Sequence, residues 1–126
     1  MSNLQPVLID GVWRQADVEG TFEPKNPATK EATGEVYPVS SLQDVEEAIE
    51  AAAKAAEQIA ELGDEIVASF LERFAERIQA RADELVAMAN AESGLPASPR
   101  LADIELPRTT DQLCQAAAAV RDRSWT

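Results

Sequence analysis

Apolar positions along the chain change their period near Ser40. Before it, Val7-Leu8-Ile9-Asp10-Gly11-Val12-Trp13 is rich in β-formers, and the Asp10-Gly11 pair predicts a turn that divides the run into two short strands. Thr21-Phe22-Glu23 is a second extended piece, and Gly34-Glu35-Val36-Tyr37-Pro38 returns as a strand. Between them Pro24-Lys25-Asn26-Pro27-Ala28-Thr29 reads as a loop, because its prolines remove backbone donors and push the preceding residues out of the helical region. After Ser40 the apolar spacing is helical. A first helix is predicted from a Ser40 or Ser41 cap to Gly63, with Asp44 placed where an acid favours a helix N-terminus. Its apolar face, Val45, Ala48, Ile49, Ala52, Ala56 and Ile59, is narrow and small-sided. Asp64 starts a second helix, expected to run unbroken to about Ala91, with Val67, Phe70, Leu71, Phe74, Ile78, Leu85 and Val86 as a wider stripe. Ser93-Gly94-Leu95-Pro96 stops it. A loop carrying Pro96, Pro99 and Pro107 then leads to a last helix, from about Thr109 or Thr110 through Val120. Trp13, Phe22, Tyr37, Phe70 and Phe74 fall on the expected core sides of these elements.

Composition narrows what such a chain can be. With 126 residues, 45% apolar and 5% aromatic, it suits one soluble domain rather than a disordered or collagen-like chain. The 23 alanines let helices approach closely but bury little area each, so these helices want a larger body to lie against. A net charge of -12 predicts that the surface repels phosphate backbones and anionic lipid, which argues against nucleic-acid and membrane partners. Residues Met1 to Gln15 lack a basic leader with an apolar core, and no run approaches the roughly 18 apolar residues of a membrane span. With a single cysteine, Cys114, which has no intrachain partner, a reducing cytoplasm is the expected location.

Reactive constellations are scarce. There is no histidine, so no imidazole base, no Ser-His-Asp or Cys-His unit and no His-containing zinc site. Cys114 lacks a basic cluster around it and reads as a partly buried structural thiol. Glu46, Glu47, Glu50, Glu57 and Glu61 read as the solvated side of an amphipathic helix, and Asp103 and Glu105 lack a matching calcium ligand set. Gly11, Gly20, Gly34, Gly63 and Gly94 are never spaced as a phosphate-binding loop. The expectation is therefore no catalytic, no cofactor-binding and no metal-ligating residue in this chain.

The succession of segments, rather than any one motif, resembles a known family. Ile9-Asp10-Gly11-Val12-Trp13, then Phe22-Glu23-Pro24-Lys25-Asn26-Pro27-Ala28-Thr29-Lys30-Glu31, then Gly34-Glu35-Val36, then Ser41-Leu42-Gln43-Asp44-Val45 with Ala48 and Ala52, resembles the start of the aldehyde dehydrogenase superfamily. Leu71, Arg73 and Ile78 leading into Glu92-Ser93-Gly94-Leu95-Pro96 continue the likeness over nearly the whole chain. Gly94-Leu95-Pro96, Arg100-Leu101, Arg108-Thr109-Thr110, Gln112-Leu113, Val120-Arg121 and Ser124-Trp125 look like the branch that oxidises α-ketoglutarate semialdehyde, also called 2,5-dioxopentanoate. Ala102 to Pro107 depart from that branch, which has a glycine- and arginine-containing stretch there.

The resemblance implies a family α/β fold of which this segment is an α+β part, a β arm followed by three helices, without the parallel dinucleotide-binding sheet. It implies residues 1–40 as a β arm of the kind used in subunit contact, 41–126 as the helical start of the coenzyme-binding domain, and the catalytic domain as absent. In that family a cysteine thiolate attacks an aldehyde, a hydride passes to NAD or NADP, and a glutamate-activated water releases the acid. Neither Asn26 nor Cys114 matches the family's catalytic positions, so the short chain is expected to be inactive, a truncated frame, split gene or fragment, with no cofactor of its own. Its expected partners are further copies or the remainder of a dehydrogenase subunit. The alternative is a non-catalytic assembly module that associates with a full-length dehydrogenase subunit, and a third is an unrelated acidic helical adaptor.

Overall fold

A computed structural model of the chain describes residues 4–123, so Met1 to Asn3 and the Ser124-Trp125 pair lie outside the described residues. The chain divides into two compact units, Met1–Ala60 and Glu61–Thr126. Its class is α+β: short antiparallel strands precede the helices, and no parallel sheet is formed among the described residues.

In the first unit β1 (Val7–Ile9) pairs antiparallel with β2 (Val12–Arg14), Leu8 opposite Trp13. Asp10 and Gly11 join them with φ of 50° and 75°, both left-handed, the turn whose twist suits a two-residue hairpin. β3 (Val18–Phe22) pairs antiparallel with β4 (Tyr37–Ser40), with a register irregularity between Val18 and Gly20. Phe22 and Tyr37 stand opposite each other with stacked rings 5.6 Å apart. The returning strand begins later than expected because Val36 is engaged elsewhere, bridging Leu4 and accepting a 2.8 Å bond from the Gln5 amide. The proline-rich loop between β3 and β4 is held by Asn26, whose Oδ1 accepts from the amides of Ala28 (2.8 Å) and Thr29 (3.2 Å).

Helix α1 (Leu42–Glu61) starts where Ser41 predicts it. Ser41 Oγ accepts the Asp44 amide at 3.3 Å, an N-cap bond. The Asp44 carboxylate does not turn back to its own cap. Only 3% exposed, it accepts from the Asp17 amide at 2.8 Å and from the Arg14 guanidinium at 2.9 Å, while the Ser41 amide donates to the Asp17 carbonyl at 2.8 Å. Arg14 also pairs with Glu47, one turn further along the helix. One buried carboxylate thus ties the end of β2, the β2–β3 connection and the first turn of α1.

In the second unit the expected long helix is two. α2 (Asp64–Ala80) ends at Arg81, whose φ of -115° and ψ of 23° leave the helical region, and α3 (Ala82–Ser93) begins directly after it. The Arg81 amide closes a tight bond to the Ile78 carbonyl at 3.1 Å, and Asp83 and Glu84 supply the acids that favour a new N-terminus. α3 stops at Gly94, left-handed at φ 68° and donating to the Asn90 carbonyl, as the sequence predicts.

The stretch expected to be a proline loop is largely helical. Ala97–Glu105 makes wide turns, with the Leu101 amide bonded to the Pro96 carbonyl and only Ser98 extended, and runs straight into α4 (Leu106–Asp122). Pro107 sits in the first turn of α4, where its missing N–H has no partner to lose, so the helix starts earlier than Thr109. Leu101, at 7% exposure, is the one buried apolar residue larger than alanine among the described residues.

α2 and α4 pack side by side through Ala68 and Ala75 on one and Ala117 on the other. Phe70 and Phe74, expected inside, are exposed, as are Trp13 and Phe22, while Tyr37 is half-buried. The reason is steric: the alanine face takes the close helix approach, which turns the bulky stripe of α2 away from α4.

Asp44→Ala removes two acceptor bonds from a buried site and leaves the Asp17 amide unsatisfied. It is expected to destabilise the first unit by about 2 kcal/mol, against about 1 kcal/mol for Ser41→Ala, read from urea unfolding and from faster exchange at the Asp17 amide.

Candidate functional site

The second unit carries an open groove of about 770 Å³. Its walls are Phe74 and Ile78 of α2, Leu85 and Val86 of α3, and Leu101 and Leu106. The break at Arg81 creates it, since α3 departs from the line of α2 and Ala97–Glu105 returns beneath. The polar groups around it are Arg77, Arg81, Glu105 and Thr109. Arg81 is held by Glu84 through bonds of 2.9 and 2.5 Å, and Glu105 by Arg100 at 2.5 Å, with Arg108 at 4.0 Å. The Arg81 hydrogen bond, aided by its charge, lowers the Glu84 carboxyl below the usual range. The Glu105 carboxylate is held by Arg100 and the Thr109 hydroxyl donates to the Glu105 carbonyl at 2.9 Å, and the remaining wall is largely apolar, so the groove suits apolar contact.

A second charged cluster fastens α2 to α4. Arg121 donates from Nε and Nη2 to both oxygens of Glu65 at 2.8 Å each, and from Nη1 and Nη2 to Glu72 at 2.6 and 2.9 Å. Arg123 adds a 2.8 Å bond to Asp64. The arrangement places the end of α4 beside the start of α2, so the two helices are antiparallel. Hydrogen bonds from Arg121 lower the Glu65 carboxyl from 4.5 to about 2, with Ser69 and the Arg121 charge acting the same way and desolvation opposing. Glu72 is lowered from its usual value by the same guanidinium, and the Arg121 group is itself raised.

The residues weighed from sequence do not converge on one place. Cys114 is exposed, against the expectation of partial burial, because α4 turns the row Thr110, Leu113, Ala117 and Val120 inward and Cys114 falls beside it. Glu46, Glu50, Glu57 and Glu61 are exposed on α1, whereas Glu47 is half-buried and joins Arg14. No group of three or more metal-ligating side chains gathers among the described residues. Asp44, Arg14 and Arg121 carry the polar ties; the sequence pointed to Asp44 only as an acid favouring a helix N-terminus and to Arg121 only within the family resemblance.

NAD or NADP is not fitted by these residues. A dinucleotide's phosphates need backbone amides fanned at a glycine-rich strand-to-helix turn. Here Gly11 lies in a hairpin turn, Gly20 in β3, Gly63 before α2 and Gly94 after α3. No described helix of this chain is long and apolar enough to cross a membrane.

This order of strands and helices agrees with what known proteins show. The chain belongs to the aldehyde dehydrogenase family, whose pattern matches residues 13–125. It is 36% identical over 115 residues to the succinate-semialdehyde dehydrogenase [NADP(+)] 2 of Schizosaccharomyces pombe, covering 90% of this chain and 23% of that protein. Lactaldehyde dehydrogenase from Escherichia coli superposes with a TM-score of 0.85 at 28% identity, over 94% of this chain and 24% of the other. Succinate-semialdehyde dehydrogenase from Burkholderia pseudomallei gives 0.66 at 28% identity, over 90% and 21%. The chain therefore spans about a quarter of the length of the relatives it matches.

The Arg121 cluster makes the second unit sensitive to acid. A carboxyl lowered on folding contributes stability that is complete above its unfolded value and is lost as pH falls through the folded one. The advantage of the native chain over Arg121→Gln is expected to hold above pH 4.5, shrink below it and vanish near about 2, in urea titrations of helical circular dichroism at stepped pH. A difference independent of pH would mean that Arg121 acts through its aliphatic stem.

Proposed function

We propose that this chain is the N-terminal part of an NAD(P)-dependent aldehyde dehydrogenase that oxidises a semialdehyde to the acid. The semialdehyde is one bearing a carboxylate, and α-ketoglutarate semialdehyde is the substrate favoured by Arg108-Thr109-Thr110 and its neighbours. Within that enzyme residues 1–40 serve as an arm for subunit contact and 41–126 as the helical start of the coenzyme-binding domain, in the cytoplasm. The chain contributes shape and packing, and the reacting groups are supplied by the rest of the polypeptide.

The observation that carries this reading is the combination of two coverages. Almost all of the chain follows the fold of a lactaldehyde dehydrogenase, with 94% covered, yet it accounts for only 24% of that protein. Two relatives named as succinate-semialdehyde dehydrogenases support the substrate class. A second reading, an assembly module for a full-length subunit, is favoured by the hairpin, where Leu8, Val12 and Trp13 are exposed and Trp13 is 67% accessible.

Two measurements test the proposal. The 126-residue chain with either semialdehyde and NAD or NADP is expected to form no reduced nicotinamide above blank, and steady turnover would overturn the proposal. Grafted in place of the matching segment of the S. pombe relative, it is expected to retain oxidation of the semialdehyde with an unchanged KM. A large rise in KM would show that this segment touches substrate.

A further inference from the structure

We draw no further inference here: the strongest candidate, the apolar groove of the second unit together with the exposed ridge of Ile66, Phe70 and Phe74 on α2 beside it, carries nothing because nothing in the structure shows what covers it.

Discussion

Among the described residues, the buried apolar side chains are Ala68, Ala75 and Ala117 with Leu101, and the remaining order in the chain has to be achieved around that shortage of buried volume. An alanine methyl removes little apolar area from water, so three of them cannot balance the conformational entropy of two long helices. What they permit is proximity, with α2 and α4 drawn close along a smooth face. Proximity in turn lets one guanidinium at Arg121 reach two carboxylates, Glu65 and Glu72, seven residues apart on α2. In the first unit Asp44 does comparable work from a buried position, where loss of its partners would leave a charge with nowhere to go.

These two ties differ in kind. Asp44 is enclosed, accepts a backbone amide as well as a cation, and sets the angle at which the chain enters α1. The Arg121 cluster lies open to solvent, where Coulomb attraction is weak and side-chain order is costly, and it steadies a contact that the alanines have already made. One defines geometry and the other reinforces it.

Local chemistry was readable in advance and distant chemistry was not. Asp10-Gly11, Asn26 and Gly94 act on residues next to them, so their turns and stop follow from the residue types alone. The first helix began at Ser41 for the same reason. By contrast the partners of Asp44 lie some thirty positions earlier in the chain, at Arg14 and Asp17, and no spacing rule joins them. Arg81 interrupts a continuous helical period with neither glycine nor proline to announce it, and the groove at that break was invisible for that reason. Leu101 was hidden by prolines on both sides, which read as a loop although Pro107 occupies the one helical turn that tolerates it. The aromatic residues misled in the other direction, since periodicity identifies an apolar face but not whether anything covers it.

That last distinction bears on the family. The ordered fragments from Ile9 to Pro96 resembled aldehyde dehydrogenases because the spacing of turns and caps is dictated by the fold and is legible without any reactive motif. A segment of this kind keeps large side chains such as Phe70, Trp13 and Ile49 accessible, which a self-sufficient domain of its size would enclose to gain the needed apolar burial. Their exposure is thus the physical counterpart of spanning about a quarter of a relative's length.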